Sequence, residues 1–586
     1  MNVLGIGCYY HDASASLIRD GICVAAAEEE RFTRKKHDNS FPINAIRWCL
    51  ESEGLKPTDI DCVAFYEKPF LKFERIVYQY LDTFPYSFFT FAGAMPSYLS
   101  EKVRIKEVIK KRIPYEGEIF FVEHHIAHAA SAFFSSPFQR AAILTIDGVG
   151  EWTTTAYGVG EKNKIILNKE IRFPSSIGLL YSTITAYLGF SVNNSEYKVM
   201  GLAAYGNMNK EANPYYKKLL SIIDIKSDGS YRLDMEYFSY LASNKMPSKK
   251  LCDLLGGPVR RKNEEITQRH KDIAAAVQLI TEEVISRILN HLFKETKCTN
   301  LVMAGGVALN SVYNGKILSR TPFKDVWIQP NASDGGGSLG AALFIYNSVF
   351  SQERKYEMKT AYLGPNFSNE QILAFLQDND IKFTRFTSKR EKISKTAKLI
   401  YENNIVGWFQ GRMEWGPRAL GARSILSNPC NPQMKNILNM KVKHRELFRP
   451  FAPVVCEDDA PKYFDCDYPI PKPTDFMLMV YPIKENWRSK IPAVTHVDGS
   501  GRLQTIRRYQ NEEYYDLIKE FGKLSGIPIL INTSFNIRGE PIVCTPYDAF
   551  MCFTGTGIDY LVLEDYLIKK EDNLEFEWDS EKYADD

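Results

Sequence analysis

The amino-terminal half of the chain begins twice in the same way, and this repetition constrains its fold more than any other feature. Residues 3–8, 13–19 and 23–29 have the apolar pattern of short strands, and Asp20-Gly21 is a two-residue hairpin signal. A second strand-rich block opens at residues 141–150, and residues 153–159 have the pattern of its returning hairpin partner. Two such openings predict a duplicated architecture.

Helices alternate with these strands. Between residues 271 and 295, apolar side chains recur at spacings of three or four, which predicts an amphipathic helix that covers a sheet; they are Ile273, Val277, Ile280, Val284 and Ile288. Residues 300–310 follow as a buried strand that ends in the glycine pair Gly305-Gly306 before another helix. This order of elements predicts an α/β fold.

The length of 586 residues exceeds what one hydrophobic core usually organises, so we expect two large domains. The polar stretch at residues 351–357 separates these α/β units from a differently composed carboxyl-terminal part. We therefore expect a first domain over residues 1–355 and a second over residues 363–586.

Composition excludes several classes of partner. The charged share is 25% and the net charge is +2, so the chain has no electrostatic footprint for nucleic acid or an anionic membrane. Its first residues lack a basic segment followed by a long apolar one, and no apolar run approaches the roughly 20 residues that span a bilayer. We expect a cytoplasmic protein with no nucleic-acid or membrane partner, and a homo-oligomer is left open.

A histidine pair has the spacing of metal ligands. His124 and His128 lie four residues apart and would project from the same side of a helix, although solvated or core histidines are the alternative. His125 occupies the position where a zinc protease of this spacing needs glutamate, which excludes that class. Asp147 and Asp334 end strands at glycine turns and are the best candidates to complete the shell. Two imidazoles with carboxylates and open positions favour Fe(II), with zinc or manganese as alternatives.

Glycine turns follow several of the predicted strands. They are Asp147-Gly148, Gly305-Gly306 and Gly335-Gly336-Gly337, where backbone N–H groups could approach phosphate oxygens. Any one of them alone is typical of an ordinary tight turn. The three together, with their acidic residues, indicate an ATP site.

The carboxyl-terminal part contains arginines in unusual surroundings. Arg418 and Arg449 lie among apolar residues and prolines, where their guanidinium groups could grip a phosphate or carbonyl oxygen. Surface arginines or buried ion pairs are the alternatives. Arg502, Asn532 and Ser534 could join them around a small planar anion, and Ser534 lacks the G-x-S-x-G context of a nucleophile.

These motifs together resemble a known family, the O-carbamoyltransferases of antibiotic and nodulation-factor biosynthesis, of which the tobramycin carbamoyltransferase is a member. The resemblance spans nearly the whole chain and is carried by residues 11–14 (HDAS), 29–32 (EERF), 124–128 (HHIAH), 197–203 (YKVMGLA), 305–310 (GGVALN), 415–421 (WGPRALG), 449–453 (RPFAP) and 532–536 (NTSFN).

The resemblance implies a fold and a reaction. The first domain would be of the actin/Hsp70/sugar-kinase type, similar to the tRNA threonylcarbamoyl transferase, and the second would be YrdC-like. By analogy, the YrdC-like domain breaks down carbamoyl phosphate and joins the carbamate to AMP from ATP, with Mg²⁺ accompanying the nucleotide. The carbamoyl-adenylate then serves a small-molecule hydroxyl, on a sugar or another secondary metabolite.

The resemblance also implies residue roles. The metal, as iron, would be bound by His124, His128, Asp147 and Asp334. His11 would be the catalytic base, as a neutral imidazole near pH 7, and Lys36, or Lys35 one position earlier, would face the acceptor. The remaining residues bind substrates: Gly148, Val149, Gly150, Glu151, Gly178 and Asn310 the nucleotide, and Arg418, Arg449, Arg502, Asn532 and Ser534 carbamoyl phosphate.

Three other functions compete with this interpretation. A nucleotide-dependent binding or chaperone-like module would need the glycine turns but neither the histidine pair nor the arginine motifs. A tRNA-modifying carbamoyl transferase would need a counter-charge for the RNA backbone, and the sequence has no basic stripe. A hydrogenase-maturation carbamoyltransferase should carry C-x-x-C zinc sites, and none of the eleven cysteines forms such a pair.

Overall fold

The computed structural model describes residues 1–243, 245–446 and 448–578, and the chain forms two compact units. The first unit comprises Met1–Glu29 and Asn39–Met358, and the second comprises Glu30–Asp38 and Lys359–Asp586. The change of unit after Met358 falls between the expected domain ends at residues 355 and 363. The sequence contains no signal that Glu30–Asp38, which includes helix α1 (Glu30–Thr33), belongs to the second unit.

Two five-stranded sheets organise the first unit, with a small hairpin beside them. The strands are β1 (Asn2–Gly7), β2 (Ser14–Arg19), β3 (Ile22–Glu28), β4 (Cys62–Phe65), β5 (Glu118–Phe121), β6 (Arg140–Ile146), β7 (Thr153–Glu161), β8 (Lys164–Arg172), β9 (Ile223–Ile225), β10 (Tyr231–Leu233), β11 (Asn300–Ala304) and β12 (Asp325–Ile328).

The two sheets share one topology. The strand orders are β3-β2-β1-β4-β5 and β8-β7-β6-β11-β12. In both sheets the first three strands in sequence pair antiparallel and the last two join in parallel. The repetition confirms the duplicated α/β architecture.

Helices of the first unit pack around these sheets. They are α2 (Ile43–Glu51), α3 (Pro69–Asp82), α4 (Phe88–Ser97), α5 (Ile105–Arg112), α6 (His124–Phe133), α7 (Ile177–Tyr187), α8 (Glu196–Ala203), α9 (Tyr216–Leu220), α10 (Lys249–Leu254), α11 (Gln268–Thr296), α12 (Ser311–Asn314), α13 (Ile317–Arg320) and α14 (Gly337–Phe344). The predicted amphipathic helix is α11, and its five periodic apolar side chains are all buried.

Close packing of α14 places the candidate site. A Cβ atom on Gly340 would lie 1.8 Å from the carbonyl oxygen of Ala127 in α6, and one on Gly5 in β1 would lie 2.0 Å from that of Ser338. Glycine at both positions therefore lets α14 lie directly against α6 and β1. Asp334, three residues before α14, is thereby brought to the histidines of α6.

The second unit is built on one nine-stranded mixed sheet. Its strands are β13 (Thr384–Arg385), β14 (Val406–Phe409), β15 (Arg423–Ser427), β16 (Ala452–Cys456), β17 (Met479–Pro482), β18 (Ser500–Ile506), β19 (Ile529–Ser534), β20 (Tyr560–Leu563) and β21 (Tyr566–Lys569), in the order β13-β21-β20-β14-β15-β19-β16-β18-β17. The helices are α15 (Asn369–Asp378), α16 (Lys389–Tyr401), α17 (Met434–Lys441), α18 (Ala460–Tyr463), α19 (Glu485–Arg488), α20 (Glu512–Ser525) and α21 (Pro546–Thr554).

A hydrophobic core lies between this sheet and helices α16 and α20. It contains the fully buried Trp408 of β14 and Phe521 of α20, packed with Ile400 of α16 and Val454 of β16. Burying an aromatic side chain of this size removes 150–250 Å² from water, so such residues dominate the stability of the core. The second unit is thus α/β as well.

None of the helices that the structure describes combines the length and the apolar character needed to cross a bilayer.

Candidate active site

Two histidines of helix α6 point into the protein. His124 and His128 lie one turn apart, and each is only 1% exposed. Glu151 accepts hydrogen bonds from the backbone N–H of His124 at 3.1 and 3.2 Å, and so satisfies a free donor at the start of the helix. The start of α6 is therefore fixed in position, and with it the two histidine side chains.

Two aspartates complete a buried cluster with these histidines. Asp147 follows β6 directly, and its carboxylate lies 2.9 Å from Nε2 of His124 and 3.6 Å from Nε2 of His128. Asp334 lies 3.6 and 3.4 Å from the same two nitrogens. One ligand atom from each of the four residues lies within 4.8 Å of the others. The structure thus brings together all four residues that the sequence suggested as metal ligands.

The chemistry of the cluster fits a divalent cation. The Nε2 atoms of His124 and His128 are 3.0 Å apart, so the two rings converge on one point that two carboxylates also face. Burial alone would lower the pKa of His128, but hydrogen bonds and charge from Asp147 and Asp334 outweigh it and raise this pKa to about 9. The two carboxylates thus favour a positive charge at this point, which a bound cation can supply in place of the His128 proton.

His125, between the two ligand candidates, has another role. Its Nδ1 lies 2.7 Å from the hydroxyl of Thr145, and its Nε2 lies 2.9 Å from the carbonyl oxygen of Thr153. Burial holds the pKa of His125 well below its ordinary value, and the neighbouring histidines add to this effect. The ring is thus a neutral structural link between α6, β6 and β7.

The glycine turns of the first unit meet at Asp147. The backbone N–H of Gly306 donates to Oδ1 of Asp147 at 3.0 Å. Gly305 has a φ of 93°, and a Cβ atom there would lie 2.1 Å from the carbonyl oxygen of Ile146. A Cβ atom on Gly178 would lie 2.6 Å from the carbonyl oxygen of Asp147. These glycines are required for the close approach of three chain segments around the cluster.

The other residues expected at the nucleotide lie along the same edge. Gly148, Val149, Gly150 and Glu151 follow Asp147 in sequence, and Glu151 is the residue that anchors α6. Asn310 is 9% exposed and exchanges two hydrogen bonds with Gln278 of α11, at 3.0 and 3.1 Å. The structure therefore gives Asn310 a packing partner in the protein itself.

His11 is held by two acceptors in the first unit. Its Nδ1 lies 2.8 Å from the carboxylate of Asp12, and its Nε2 lies 2.7 Å from the carbonyl oxygen of Asn193. A carbonyl oxygen can only accept, so Nε2 carries a proton. Burial would lower the pKa of His11, but Asp12 outweighs it and raises this pKa to about 10. The expectation of a neutral imidazole near pH 7 is therefore wrong for this arrangement.

In the second unit, the end of β19 carries two of the predicted residues. Asn532 is 1% exposed, and its amide N–H groups donate to the carbonyl oxygen of Ala419 at 3.1 Å and to Gln504 at 2.5 Å. Within the described chain its Oδ1 is buried without a hydrogen-bond donor. Asn532 therefore offers a fixed acceptor beside the loop that contains Arg418.

Ser534 belongs to a second group of side chains. Nζ of the buried Lys443 lies 3.3 Å from Oγ of Ser534 and 2.8 Å from Oδ1 of Asn536, and it also donates to the carbonyl oxygens of both residues. Burial holds the pKa of Lys443 well below its ordinary value, and the nearby Arg445 adds to this effect. The Lys443 amine thus fixes the β19 terminus, and its acceptors among the described residues are oxygens of Ser534 and Asn536.

The predicted arginines flank this region and are half-buried. Arg418 precedes Ala419, and the backbone of Arg449 accepts a hydrogen bond from Asn439 of α17 at 3.3 Å, three residues before β16. Ala452 of β16 lies opposite Asn532 in the sheet register. Arg502 lies on β18, one strand further from β19. Arg502 lies two residues before Gln504, the side chain that accepts from Asn532, so the alternation along β18 places Arg502 and Gln504 on the same face of the sheet.

Lys36 lies in the segment Glu30–Asp38 and is half-buried, whereas Lys35 is exposed. Its charge acts on the ammonium group of Lys443 in the same unit. Lys36 was expected in the first domain. In the structure it belongs to the second unit, so its neighbours are residues of that unit.

Several residues that organise the second unit were missed from the sequence. Glu414 accepts three backbone hydrogen bonds at 2.7–3.1 Å, from Leu420, Ala422 and Arg423, and so shapes the loop that contains Arg418. Its position directly before the motif at residues 415–421 was a usable signal. Lys443 lies six residues before the RPFAP motif, and its partner Asn536 is distant in sequence.

The fold and the cluster first define a class: a two-unit α/β protein with duplicated sheets and a buried His–Asp group suited to a metal ion. Comparison with known proteins then identifies the family. The model described as "Carbamoyltransferase N-terminus" matches residues 2–343, and the one described as "Carbamoyltransferase C-terminus" matches residues 397–570. The chain belongs to the carbamoyltransferase family, as the motif resemblance predicted, and it is an enzyme.

Two curated relatives cover nearly all of the chain. An uncharacterized protein of Synechocystis sp., sll1178, is 45% identical over 97% of each chain. Nodulation protein NolNO of Sinorhizobium fredii is 36% identical over 97% of this chain and 80% of its own. Among solved structures, component A of the (R)-2-hydroxyglutaryl-CoA dehydratase of Acidaminococcus fermentans matches at 15% identity with a TM-score of 0.34, over 59% of this chain and 97% of its own. This structural similarity is too low to support a functional comparison.

Proposed function

We propose that the protein is an ATP-dependent O-carbamoyltransferase that carries the carbamoyl group of carbamoyl phosphate, through carbamoyl-adenylate, to a hydroxyl of a small molecule, a sugar or another secondary metabolite. The observation that carries the proposal is the buried cluster of His124, His128, Asp147 and Asp334, since two imidazoles and two carboxylates offer a cation a site beside the glycine turns of a carbamoyltransferase.

The proposed reaction has two balanced halves. Carbamoyl phosphate and water give carbamate and phosphate, and the carbamate oxygen then attacks the α-phosphorus of ATP with loss of pyrophosphate. In the second half, the acceptor oxygen attacks the carbamoyl carbon, the bond to the AMP oxygen breaks, and the hydroxyl proton passes to a base. The products are the O-carbamoyl compound and AMP.

The second unit, proposed to be YrdC-like, would perform the first half. Arg418, Arg449 and Arg502 would neutralise the leaving phosphate of carbamoyl phosphate, as guanidinium groups do in phosphate sites. The free acceptor of Asn532 suits the carbamoyl NH₂ group, and the Ser534 hydroxyl, held by Lys443, suits a phosphate or carbonyl oxygen. These side chains bind and orient the substrate in a largely buried place.

The first unit would perform the second half. The glycine-lined edge at residues 148–151 and Gly178 would accommodate the nucleotide, with Asn310 oriented by Gln278. A cation held by the His–Asp cluster would supply charge stabilisation at the adenylate phosphate as AMP departs. We propose iron as this cation, with zinc or manganese as alternatives and Mg²⁺ accompanying ATP.

His11 is the proposed base, and Lys36 the proposed acceptor contact. In the structure His11 is an imidazolium, because both of its ring nitrogens face acceptors. Removal of the acceptor proton therefore requires that Nε2 first leaves the carbonyl oxygen of Asn193 and loses its proton. The deprotonated Nε2 would then accept a hydrogen bond from the hydroxyl of the small-molecule substrate, in place of its bond to Asn193, and could take the hydroxyl proton.

The first half-reaction can be tested without knowledge of the acceptor. Purified protein with carbamoyl phosphate, ATP and Fe(II) should form carbamoyl-adenylate, pyrophosphate and phosphate, measured by mass spectrometry and phosphate assays. Arg449→Ala should reduce this formation at least tenfold. Arg508→Ala is the matched control, since Arg508 is an exposed arginine of the same unit that pairs with Glu512, and it should leave the rate unchanged.

A different product would contradict the proposal. Formation of ADP alone, or no turnover with the metal supplied, would indicate a nucleotide-dependent function other than adenylate formation. Equal rates in Arg449→Ala and Arg508→Ala would remove the arginine site from the proposal.

A further inference from the structure

A buried arginine of the first unit has no hydrogen-bond partner. Arg75 of α3 is 5% exposed, and no hydrogen bond or ion pair of its guanidinium group falls among the described residues. Its guanidinium carbon lies 4.9 Å from the centroid of the Phe173 ring, a cation–π contact. A cation–π contact satisfies no N–H donor, so burial of this charge is costly unless an acceptor arrives from outside the chain.

The nearby carboxylates are already engaged. Glu67 pairs with Lys72, whose Nζ lies 2.5 Å from its carboxylate, and both side chains are buried. Glu151 accepts hydrogen bonds from the backbone N–H groups of Lys68 and His124. Both carboxylates act on Arg75 electrostatically, but neither accepts a hydrogen bond from it in the described chain, so its guanidinium donors stay without a protein acceptor.

Further donors converge on the same place. Lys72 lies one turn before Arg75, and its Nζ is 4.2 Å from the ring centroid of Tyr10. The hydroxyls of Tyr10 and Tyr98 act electrostatically on Arg75, and neither makes a hydrogen bond in the described chain. Among the described residues, the Arg75 guanidinium group and the two phenolic hydroxyls thus lie close to Lys72 without a hydrogen-bond acceptor of their own.

This space borders the His–Asp cluster. A Cβ atom on Gly148 would lie 3.8 Å from the hydroxyl of Tyr10. Burial raises the pKa of Tyr10 above its ordinary value, and the carboxylates of Asp147 and Asp334 raise it further. Tyr10 therefore stands as a neutral donor between the cluster and Arg75.

We propose that Arg75, with Lys72, Tyr10 and Tyr98, forms an oxyanion-binding subsite next to the His–Asp cluster. An arginine fork with two hydroxyl donors matches a phosphate or carboxylate group, which can accept several hydrogen bonds at once. The oxyanion has two sources: a phosphate of the nucleotide, or an acidic group on the acceptor. The subsite stands on the contacts of Arg75 alone, and only the naming of these two sources rests on the proposed function.

Binding of simple anions to the full-length protein tests the subsite without any turnover. The probes are inorganic phosphate, AMP and glucose 6-phosphate, with glucose as the uncharged control, measured by calorimetry and by thermal unfolding. In Arg75→Met we expect phosphate to bind at least tenfold more weakly, while the Tm of the unliganded protein stays level or rises because a buried unpaired charge is removed. Arg75→Lys, which keeps the charge but loses the fork, should also weaken phosphate binding.

Arg354→Met is the matched control. Arg354 of the same unit donates to the carbonyl oxygens of Phe138 at 2.5 Å and Phe133 at 2.7 Å, so its loss should lower the Tm and leave phosphate affinity within twofold. A tenfold loss of AMP affinity in Arg75→Met assigns the oxyanion to the nucleotide. Loss confined to glucose 6-phosphate and inorganic phosphate assigns it to the acceptor.

Three results would overturn the proposal. They are phosphate affinity within twofold of wild type in Arg75→Met, absence of phosphate binding by the wild-type protein at millimolar concentration, and unfolding of both Arg75 variants, which would make Arg75 a structural residue. Failure of the carbamoyl transfer assay would leave the subsite untouched, because none of these measurements needs catalysis.

Discussion

At the scale of single residues, the two histidines of the cluster and the one beside them show how position on a helix selects a role. His124 and His128 share one face and meet two aspartates, whereas His125 faces Thr145 and the backbone of Thr153. All three rings are buried, so burial alone does not distinguish a ligand from a structural link. The difference lies in which groups each ring faces.

His128→Ala should abolish metal binding. Removal of one of four ligands leaves the two carboxylates with a single imidazole, and such losses usually weaken affinity by orders of magnitude. We expect the metal content, measured by elemental analysis after dialysis against Fe(II) or Zn²⁺, to fall from about one ion per chain to near zero. His125→Ala, on the same helix, should lose about 1–3 kcal/mol of stability but keep the ion.

Stoichiometric metal in His128→Ala would exclude the cluster as the metal site. Chelation of the wild-type protein should lower its Tm, since an ion that binds only the folded state stabilises it. The two measurements together separate a metal site from a buried hydrogen-bond network.

His11 makes the stability of the first unit dependent on pH. Its pKa is raised to about 10 in the folded protein, against an ordinary value of about 6.5. The charged form is therefore favoured by folding, so its contribution is complete below about pH 6.5 and is lost as the pH rises toward 10. The Tm difference between wild type and His11→Gln should be largest near pH 6 and should close by pH 10.

Asp12→Asn provides the control for this titration. Without that carboxylate the main cause of the raised pKa is gone, so the difference made by His11→Gln should lose most of its pH dependence in this background. A Tm difference that stays constant from pH 6 to pH 10 would contradict the assignment of a charged His11.

At the scale of elements, glycines decide how closely strands, turns and helices approach the cluster. Gly340 lets α14 lie against α6, and Gly305 lets the turn after β11 lie against the end of β6. At each of these glycines, a backbone carbonyl of the neighbouring element occupies the space that a side chain would need. The site is therefore built by backbone segments that side chains would hold apart.

Gly305→Ala should be strongly destabilising. Gly305 has a φ of 93° and lies against Ile146, so alanine would suffer both an unfavourable backbone conformation and a clash, about 2–4 kcal/mol together. Gly54→Ala is the matched control: its φ is 66° and nothing lies within 4 Å of the added Cβ atom. This variant should lose only about 1 kcal/mol.

Chemical denaturation of the two variants measures the difference, and metal content reports its effect on the site. We expect Gly305→Ala to bind metal more weakly as well, since Gly306 donates to Asp147 from the same turn. Equal stability of the two variants would contradict this prediction, because the turn at Gly305 would then accommodate a Cβ atom with no more loss of free energy than the exposed turn at Gly54.

At the scale of the whole molecule, the second unit is completed by a segment from the start of the chain. Arg31 donates to the carbonyl oxygen of Gly416 at 2.8 Å, and Arg34 donates to those of Pro541 and Ile542 at 2.8 and 2.7 Å. These bonds connect Glu30–Asp38 to two loops that frame the predicted carbamoyl phosphate residues. A split of the chain at residue 358 therefore does not separate two complete units.

A fragment of residues 359–586 should be unstable unless this segment is supplied. We expect a synthetic peptide of residues 28–40 to bind the fragment and to raise its Tm, measured by calorimetry and thermal unfolding, because it restores three charge-assisted hydrogen bonds. A peptide with Arg31→Ala and Arg34→Ala should bind at least tenfold more weakly. If the fragment is as stable as the second unit is in the full-length protein and does not bind the peptide, then Glu30–Asp38 is not needed to complete the second unit.

Local pattern by itself determined several features of this protein. Strand alternation and the Asp20-Gly21 turn defined both sheet openings, and a spacing of three and four residues defined α11, because these signals depend only on neighbours in sequence. The spacing of His124 and His128 and the motifs that indicate a carbamoyltransferase were also readable, and the family is confirmed. The four ligand candidates were chosen correctly as neighbours in space.

Only the tertiary structure decided the rest. The hydrogen bond that holds the Nε2 proton of His11 depends on Asn193, the role of Lys443 depends on Asn536, and the isolation of Arg75 depends on the engagement of Glu67 and Glu151 elsewhere. The transfer of Glu30–Asp38 to the second unit depends on carbonyl groups some 400 to 500 residues away in sequence. Protonation, desolvation and long-range hydrogen bonding are set by groups that meet only in the folded chain, and no local pattern records them.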